Sequence, residues 1–181
     1  MGSHFMKIHP MHLGTVAEII GSNDPSLLRS LCETSGATRG DADRLAMAEL
    51  IGGRFTSSDH HLGEHPNAPT LIRALDRLCE YTSQPAPAIE MYDDDERSPL
   101  LWEFIWRGGN PLGLPRSPHG VPAMTWHEPS ETARYAMRFT DLKSSGTWNR
   151  ECLSDAELDE IIRLVRQAKT ANLGVFVFVE Y

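Results

Sequence analysis

Residues His61-Leu62-Gly63-Glu64-His65 match the H-x-x-E-H order in which inverted zinc peptidases carry two imidazole ligands and a glutamate base. That chemistry needs both histidines on one helical face, four residues apart, with the carboxylate beside the metal to activate its water. The local sequence opposes such a helix. Gly63 sits inside the motif, and Pro66 disfavours helical backbone at His65. No downstream helix offers a convincing third ligand. The first reading is a histidine-rich polar loop without a cofactor. The alternative is zinc held by His60, His61 and His65, in a metal-dependent hydrolase that also uses Glu64.

The densest charge is the run Asp93-Asp94-Asp95-Glu96. Consecutive carboxylates cannot all face one ion, and the spacing is not that of an EF-hand loop. They suit a solvated turn that favours the start of the next helix, or an acidic rim that steers a basic protein partner. Arg107, Arg116, His119 and His127 surround a stretch rich in glycine and proline from Asn110 to Pro122, where Trp106 and Trp126 also lie. Tryptophan and arginine are enriched where proteins bind each other, although Trp102, Trp106 and Trp126 would serve equally as core. The residues expected to touch a partner are Asp93, Asp94, Asp95, Glu96, Trp106 and Arg107. The chain contains no G-x-S-x-G elbow, no G-x-x-x-x-G-K-[ST] phosphate loop and no G-x-G-x-x-G turn. A cysteine and a histidine that meet only in space stay open as a possibility.

These residues need a scaffold, and the composition supplies one. A chain of 181 residues, 40% hydrophobic and 23% charged, is about the size of one compact domain and buries enough apolar surface to fold unaided. Its formal net charge of -8 repels nucleic acid and anionic membrane. No apolar run approaches the ~20 residues that span a bilayer. Cys32, Cys79 and Cys152 are widely separated and form no C-x-x-C pair, so neither a disulfide framework nor a cysteine zinc site is expected. Cys32 and Cys79 instead read as small core residues. Met1–Phe5 resembles an expression remnant and lacks the pattern of a secretory signal, which makes the cytoplasm the expected address.

The local patterns predict a mainly helical α+β domain over 6–181. Residues 7–12 read as a short opening strand. Asp24-Pro25 starts a helix with Leu27, Leu28, Leu31 and Cys32 on one face. A second helix capped by Asp41 carries Leu45, Ala48 and Ile51 inward, and a third capped by Asn67 carries Leu71, Ile72, Leu75, Leu78 and Cys79. Ser98-Pro99 opens a helix that is apolar nearly all round, ended by Gly108-Gly109 and expected to be central and buried. Glu128-Pro129 opens another, with Ala133, Ala136, Met137 and Phe139 inward. Ser154 and Glu157 form a capping box, with Leu153 and Leu158 at the staple positions. Gly174 ends that unit, and Val175-Phe176-Val177-Phe178-Val179 reads as a strand covered on both faces.

The order Trp102-Glu103-Phe104-Ile105-Trp106-Arg107-Gly108-Gly109, a Gly/Pro loop with Pro115 and Pro122, then Glu128-Pro129-Ser130-Glu131 and a final helix and strand around Ala171-Asn172-Leu173-Gly174 resembles the YfbM-like group of small uncharacterised bacterial proteins. The resemblance covers mainly the C-terminal half. It implies an α+β fold whose terminal strands pair in a small sheet, in a bacterial cytoplasmic protein, and it carries over no catalytic residue. By analogy with small acidic bacterial proteins, the function expected is non-enzymatic: binding of a basic protein partner, as an immunity protein that neutralises a toxin. The other alternative is an accessory or structural subunit.

Overall fold

A computed structural model describes residues 4–34, 41–54, 67–83, 85–92, 98–114, 116–117 and 121–180. Its elements in chain order are β1 (His4–Met11), α1 (Leu13–Ile19), α2 (Pro25–Thr34), α3 (Asp41–Gly52), α4 (Ala68–Thr82), β2 (Ile89–Met91), α5 (Pro99–Trp106), β3 (Ala123–His127), α6 (Pro129–Ser145), α7 (Asp155–Thr170) and β4 (Gly174–Glu180). The fold is α+β, mainly helical, with one antiparallel sheet in the order β2-β1-β4-β3. Contacts divide the described residues into two compact units: one from 1–12, 86–110 and 124–181, the other from 13–85 and 111–123.

The first unit holds the sheet. β1 and β4 pair antiparallel from Phe5 opposite Glu180 to Met11 opposite Gly174, so the two ends of the chain lie side by side as expected. Val175 through Val179 are all buried, as an unbroken β-branched and aromatic run should be when both faces are covered. The register sets His9 opposite Phe176 and Lys7 opposite Phe178 on one face, and Ile8 opposite Val177 on the other. α7 packs on α6, and both reach the sheet. The capping box is present: Ser154 N–H donates to Glu157 Oε2 at 2.7 Å, and Glu157 N–H donates to Ser154 Oγ at 3.3 Å. Leu153, Leu158, Ile161, Ile162, Val165 and Ala168 are buried. α6 ends at Gly146, whose φ of 67° is the left-handed conformation that glycine adopts without a Cβ penalty.

The second unit is helical. Asp24 Oδ1 accepts from the backbone N–H of Ser26 at 2.8 Å and of Leu27 at 3.1 Å, capping α2 as read from sequence. α4 buries Leu71, Ile72, Leu75, Leu78 and Cys79 against α3 and its neighbours. The 111–123 segment tucks in Leu114 and Ser117, with Ser117 Oγ donating to Val121 O at 3.0 Å.

Several expectations need correction. β1 runs from His4 to Met11 instead of over 7–12, with His4 and Phe5 opposite Met91 and Glu90. Leu45 is 64% exposed because α3 turns Ala46, Met47, Leu50 and Ile51 inward. Met137 is 53% exposed because the inward stripe of α6 is Thr132, Tyr135, Ala136 and Phe139. Asn67 occupies the N-cap of α4 without a side-chain cap hydrogen bond. α5 buries only Leu101, Phe104 and Ile105, leaving Trp102 and Trp106 half-buried, while Cys32 is half-buried too. α1, β2 and β3 are additional elements.

Candidate functional site

A cluster of charged and aromatic residues of the first unit forms where α5, β3 and α6 meet. Glycine makes that meeting possible. Gly109 and Trp126 exchange backbone hydrogen bonds of 2.8 Å in each direction, which lays the end of α5 against β3. A Cβ on Gly108 would stand 2.0 Å from Thr125 Oγ1 and 2.7 Å from Trp126 O, so only glycine lets the two backbones approach. The pair that reads as a helix stop in the sequence is therefore also a docking surface.

That docking places His127, the last residue of β3, under α5. Its side chain is 1% exposed, its ring stacks on Phe104 with centroids 4.9 Å apart and 9° between planes, and Tyr135 meets it edge-on at 4.7 Å. Nε2 lies 2.6 Å from the carbonyl oxygen of Phe104. That carbonyl lies in the last turn of α5, where helical acceptors lack in-helix partners. A carbonyl only accepts, so Nε2 carries the hydrogen and Nδ1 is the nitrogen left to titrate. Nδ1 has no hydrogen bond and faces Glu131 Oε2 at 3.7 Å, while the other oxygen of Glu131 is 3.7 Å from Arg134 Nη2. Burial holds the His127 imidazole below the usual histidine range, against the opposing pull of the Phe104 carbonyl and Glu131.

A second network lies beside it. Arg138 grips Glu103 with two parallel bonds, Nη1 to Oε1 at 2.8 Å and Nη2 to Oε2 at 2.9 Å, and Tyr135 Oη donates to Oε1 at 3.4 Å. The Arg138 hydrogen bonds hold the Glu103 carboxyl below the usual carboxylate range, and burial pushes the Tyr135 phenol up. Arg134 and Arg138 each lie 5.7 Å from the Tyr135 ring, and Arg107 lies 5.4 Å from the Trp102 ring. Away from this corner, Thr140, Lys143, Ser144, Asp159, Ile162 and Arg166 line an open cleft of about 430 Å³ between α6 and α7, bridged by the Lys143–Asp159 ion pair.

Chemically, the corner can exchange a proton between His127 and Glu131 and can present arginine and tryptophan to a partner. His127 does not reach solvent, so it cannot touch a substrate as general base in this conformation. Of the residues singled out from sequence, Trp106 is half-buried in the last turn of α5 and Arg107 is exposed just after it. Arg116 is exposed. Asp93, Asp94, Asp95, Glu96, His60, His61, Glu64, His65 and His119 lie outside the described residues. Among the described residues, no group of three or more His, Cys, Asp or Glu could hold a metal ion. Sequence reasoning missed Glu103, Glu131, Tyr135 and Arg138. The recurrence of Glu131, Arg134, Tyr135 and Arg138 at helical spacing was the available signal. Comparison with protein families, curated proteins and solved structures gives no match.

Proposed function

We propose that this protein acts by binding another protein, as an immunity-type partner that covers the basic surface of a toxin. The observation that carries the reading is the edge of α5, which has half-buried Trp102 and Trp106 and, just after it, an exposed Arg107 whose guanidinium lies over the Trp102 ring. Such side chains provide contact area and planar hydrogen bonding with little ordering cost, which is why they dominate binding energy in interfaces. The net charge of -8 supports attraction of a basic partner, with Asp93, Asp94, Asp95 and Glu96 as the residues that steer it. A cytoplasmic bacterial setting belongs to the same proposal. It draws support from the thiols of Cys32, Cys79 and Cys152, which form no disulfide, and from the YfbM-like resemblance. No described helix is long and apolar enough to cross a membrane.

The test is co-purification from the native host with mass spectrometry, together with metal analysis of protein made without a histidine tag. The reading expects one basic protein at one-to-one stoichiometry. Reversing the four charges at 93–96 should weaken its capture in a salt-dependent way, and Arg107→Ala should weaken it at least tenfold. Capture unchanged at low salt by both variants would refute the reading. One equivalent of zinc, lost on changing His61 or His65, would move attention to the histidine segment.

A further inference from the structure

We propose that His127 and Glu131 form a proton-operated latch at the start of α6, in which one proton on Nδ1 of His127 draws the Glu131 carboxylate inward and away from Arg134.

The argument rests on geometry. His127 has one nitrogen committed, because Nε2 is 2.6 Å from a carbonyl that can only accept. The other nitrogen is buried without a hydrogen bond. Its neighbour is a carboxylate oxygen at 3.7 Å, too far for a hydrogen bond. Two acceptors facing each other at that distance describe the unprotonated state. A proton on Nδ1 turns the same contact into a charge-assisted hydrogen bond, which closes to roughly 2.8 Å.

Neighbouring elements keep the ring from turning to find another partner. α5 supplies the Phe104 stack and carbonyl, and α6 supplies the Tyr135 edge. The Gly108 backbone approaches the ring so closely that a Cβ there would stand 3.0 Å from His127 Cε1. The charged groups facing the ring are Glu131 and Arg134 on α6, with the neutral Tyr135 phenol ring against its edge; Glu103 and Arg138 lie beyond Tyr135, Arg107 follows α5, and Thr125 on β3 is uncharged. Glu103 is committed to Arg138, and Arg107 to the face of Trp102. Glu131 is the carboxylate left to respond, and at 35% exposure it also gives the proton a route from solvent to a buried nitrogen. The proton comes from water and no covalent bond other than N–H forms. Closing the latch draws the carboxylate off Arg134, so the first turns of α6 present a less compensated guanidinium in acid than at higher pH.

The experiment is heteronuclear NMR of the full chain, labelled with nitrogen-15 and carbon-13, across a pH titration. At neutral pH the His127 ring should show the Nε2–H tautomer. On acidification Nδ1 should protonate below the ordinary histidine range, and the Glu131 carboxyl and Arg134 Nε signals should shift at the same midpoint. Glu131→Gln keeps the shape and removes the charge, so it should move the His127 midpoint to still lower pH and abolish the Arg134 response. An Nδ1–H tautomer at neutral pH, or a His127 midpoint indifferent to Glu131→Gln, would overturn the latch. Glu131 is partly exposed, so this variant should fold; an Arg134→Ala variant, expected to raise the His127 midpoint, tests the same pair from the other side.

Discussion

Gly174 opens β4, and replacing it with alanine should destabilise the protein despite removing a flexible residue. Alanine is ordinarily the better choice inside a strand, by roughly 0.5–1 kcal/mol, because glycine loses more backbone freedom on folding. The backbone here poses no obstacle, since Gly174 is not among the glycines with positive φ. Space is the obstacle. A Cβ at this position would stand 2.3 Å from Trp126 Cζ2, 2.4 Å from Trp126 Cη2 and 2.6 Å from the carbonyl oxygen of His127. The indole is itself wedged against Phe176 at 4.6 Å, and the carbonyl belongs to β3, so neither can simply step aside.

Forcing a methyl into such a site costs about 1–3 kcal/mol, which outweighs the backbone gain of roughly 0.5–1 kcal/mol and leaves a net loss of about 1 kcal/mol. In a chain of 181 residues that corresponds to a fall in Tm of roughly 2–4 °C. Urea unfolding followed by circular dichroism measures the loss directly. A Trp126→Leu background supplies the control. Leucine removes the two colliding ring carbons, so Gly174→Ala should cost clearly less there, though not nothing, because the His127 carbonyl remains. A Gly174→Ala protein as stable as the parent, or an identical loss in both backgrounds, would refute the packing of β4 on Trp126.

Glu103→Gln should cost about 0.5–1 kcal/mol, since Arg138 is 40% exposed and solvent screens the pair. Because the folded-state carboxyl is held low by Arg138, this stabilisation is full above the ordinary carboxylate range and fades as pH falls through the folded-state value; a Glu103/Arg138 double-mutant cycle run at two pH values would read both features. His127 is lowered by burial, so the folded protein resists its protonation and loses stability as pH drops below about 6.5, the ordinary histidine value. His127→Phe should keep the Phe104 stack and flatten that dependence, at a loss of about 1–2 kcal/mol at neutral pH from the orphaned Phe104 carbonyl; denaturant melts from pH 7 to pH 5 check the slope. Ser154→Ala removes the acceptor that caps α7 and should cost about 1 kcal/mol, with faster amide exchange confined to the first turn of that helix.

What was legible in the sequence was local. The Ser154–Glu157 box, the Asp24 cap and the five-residue run from Val175 to Val179 each lie within a few residues, where spacing and residue type determine the geometry. β3 was not legible, because Ala123–His127 alternates weakly between two prolines and owes its place to Gly109, far back in the chain. β2 is only Ile89–Met91, too short to show a period. Leu45 and Met137 lie on exposed faces for a different reason. In short amphipathic helices several adjacent stripes contain apolar residues, and only tertiary packing selects one.

The same distinction governs the corner of α5, β3 and α6. The Trp102–Gly109 segment stood out as a pattern, and the residues that do the positioning are inside it, yet Glu103 finds Arg138 across 35 positions of sequence. Such a pair exists only once Gly108 and Gly109 have let α5 lie on β3. Gly108 leaves no room for a side chain, the buried histidine is locked by a carbonyl, and the arginines rest on aromatic rings. This is a frame that fixes charged groups in orientation, and under the proposed binding role such preorganisation would lower the entropy that contacts at the edge of α5 must outweigh.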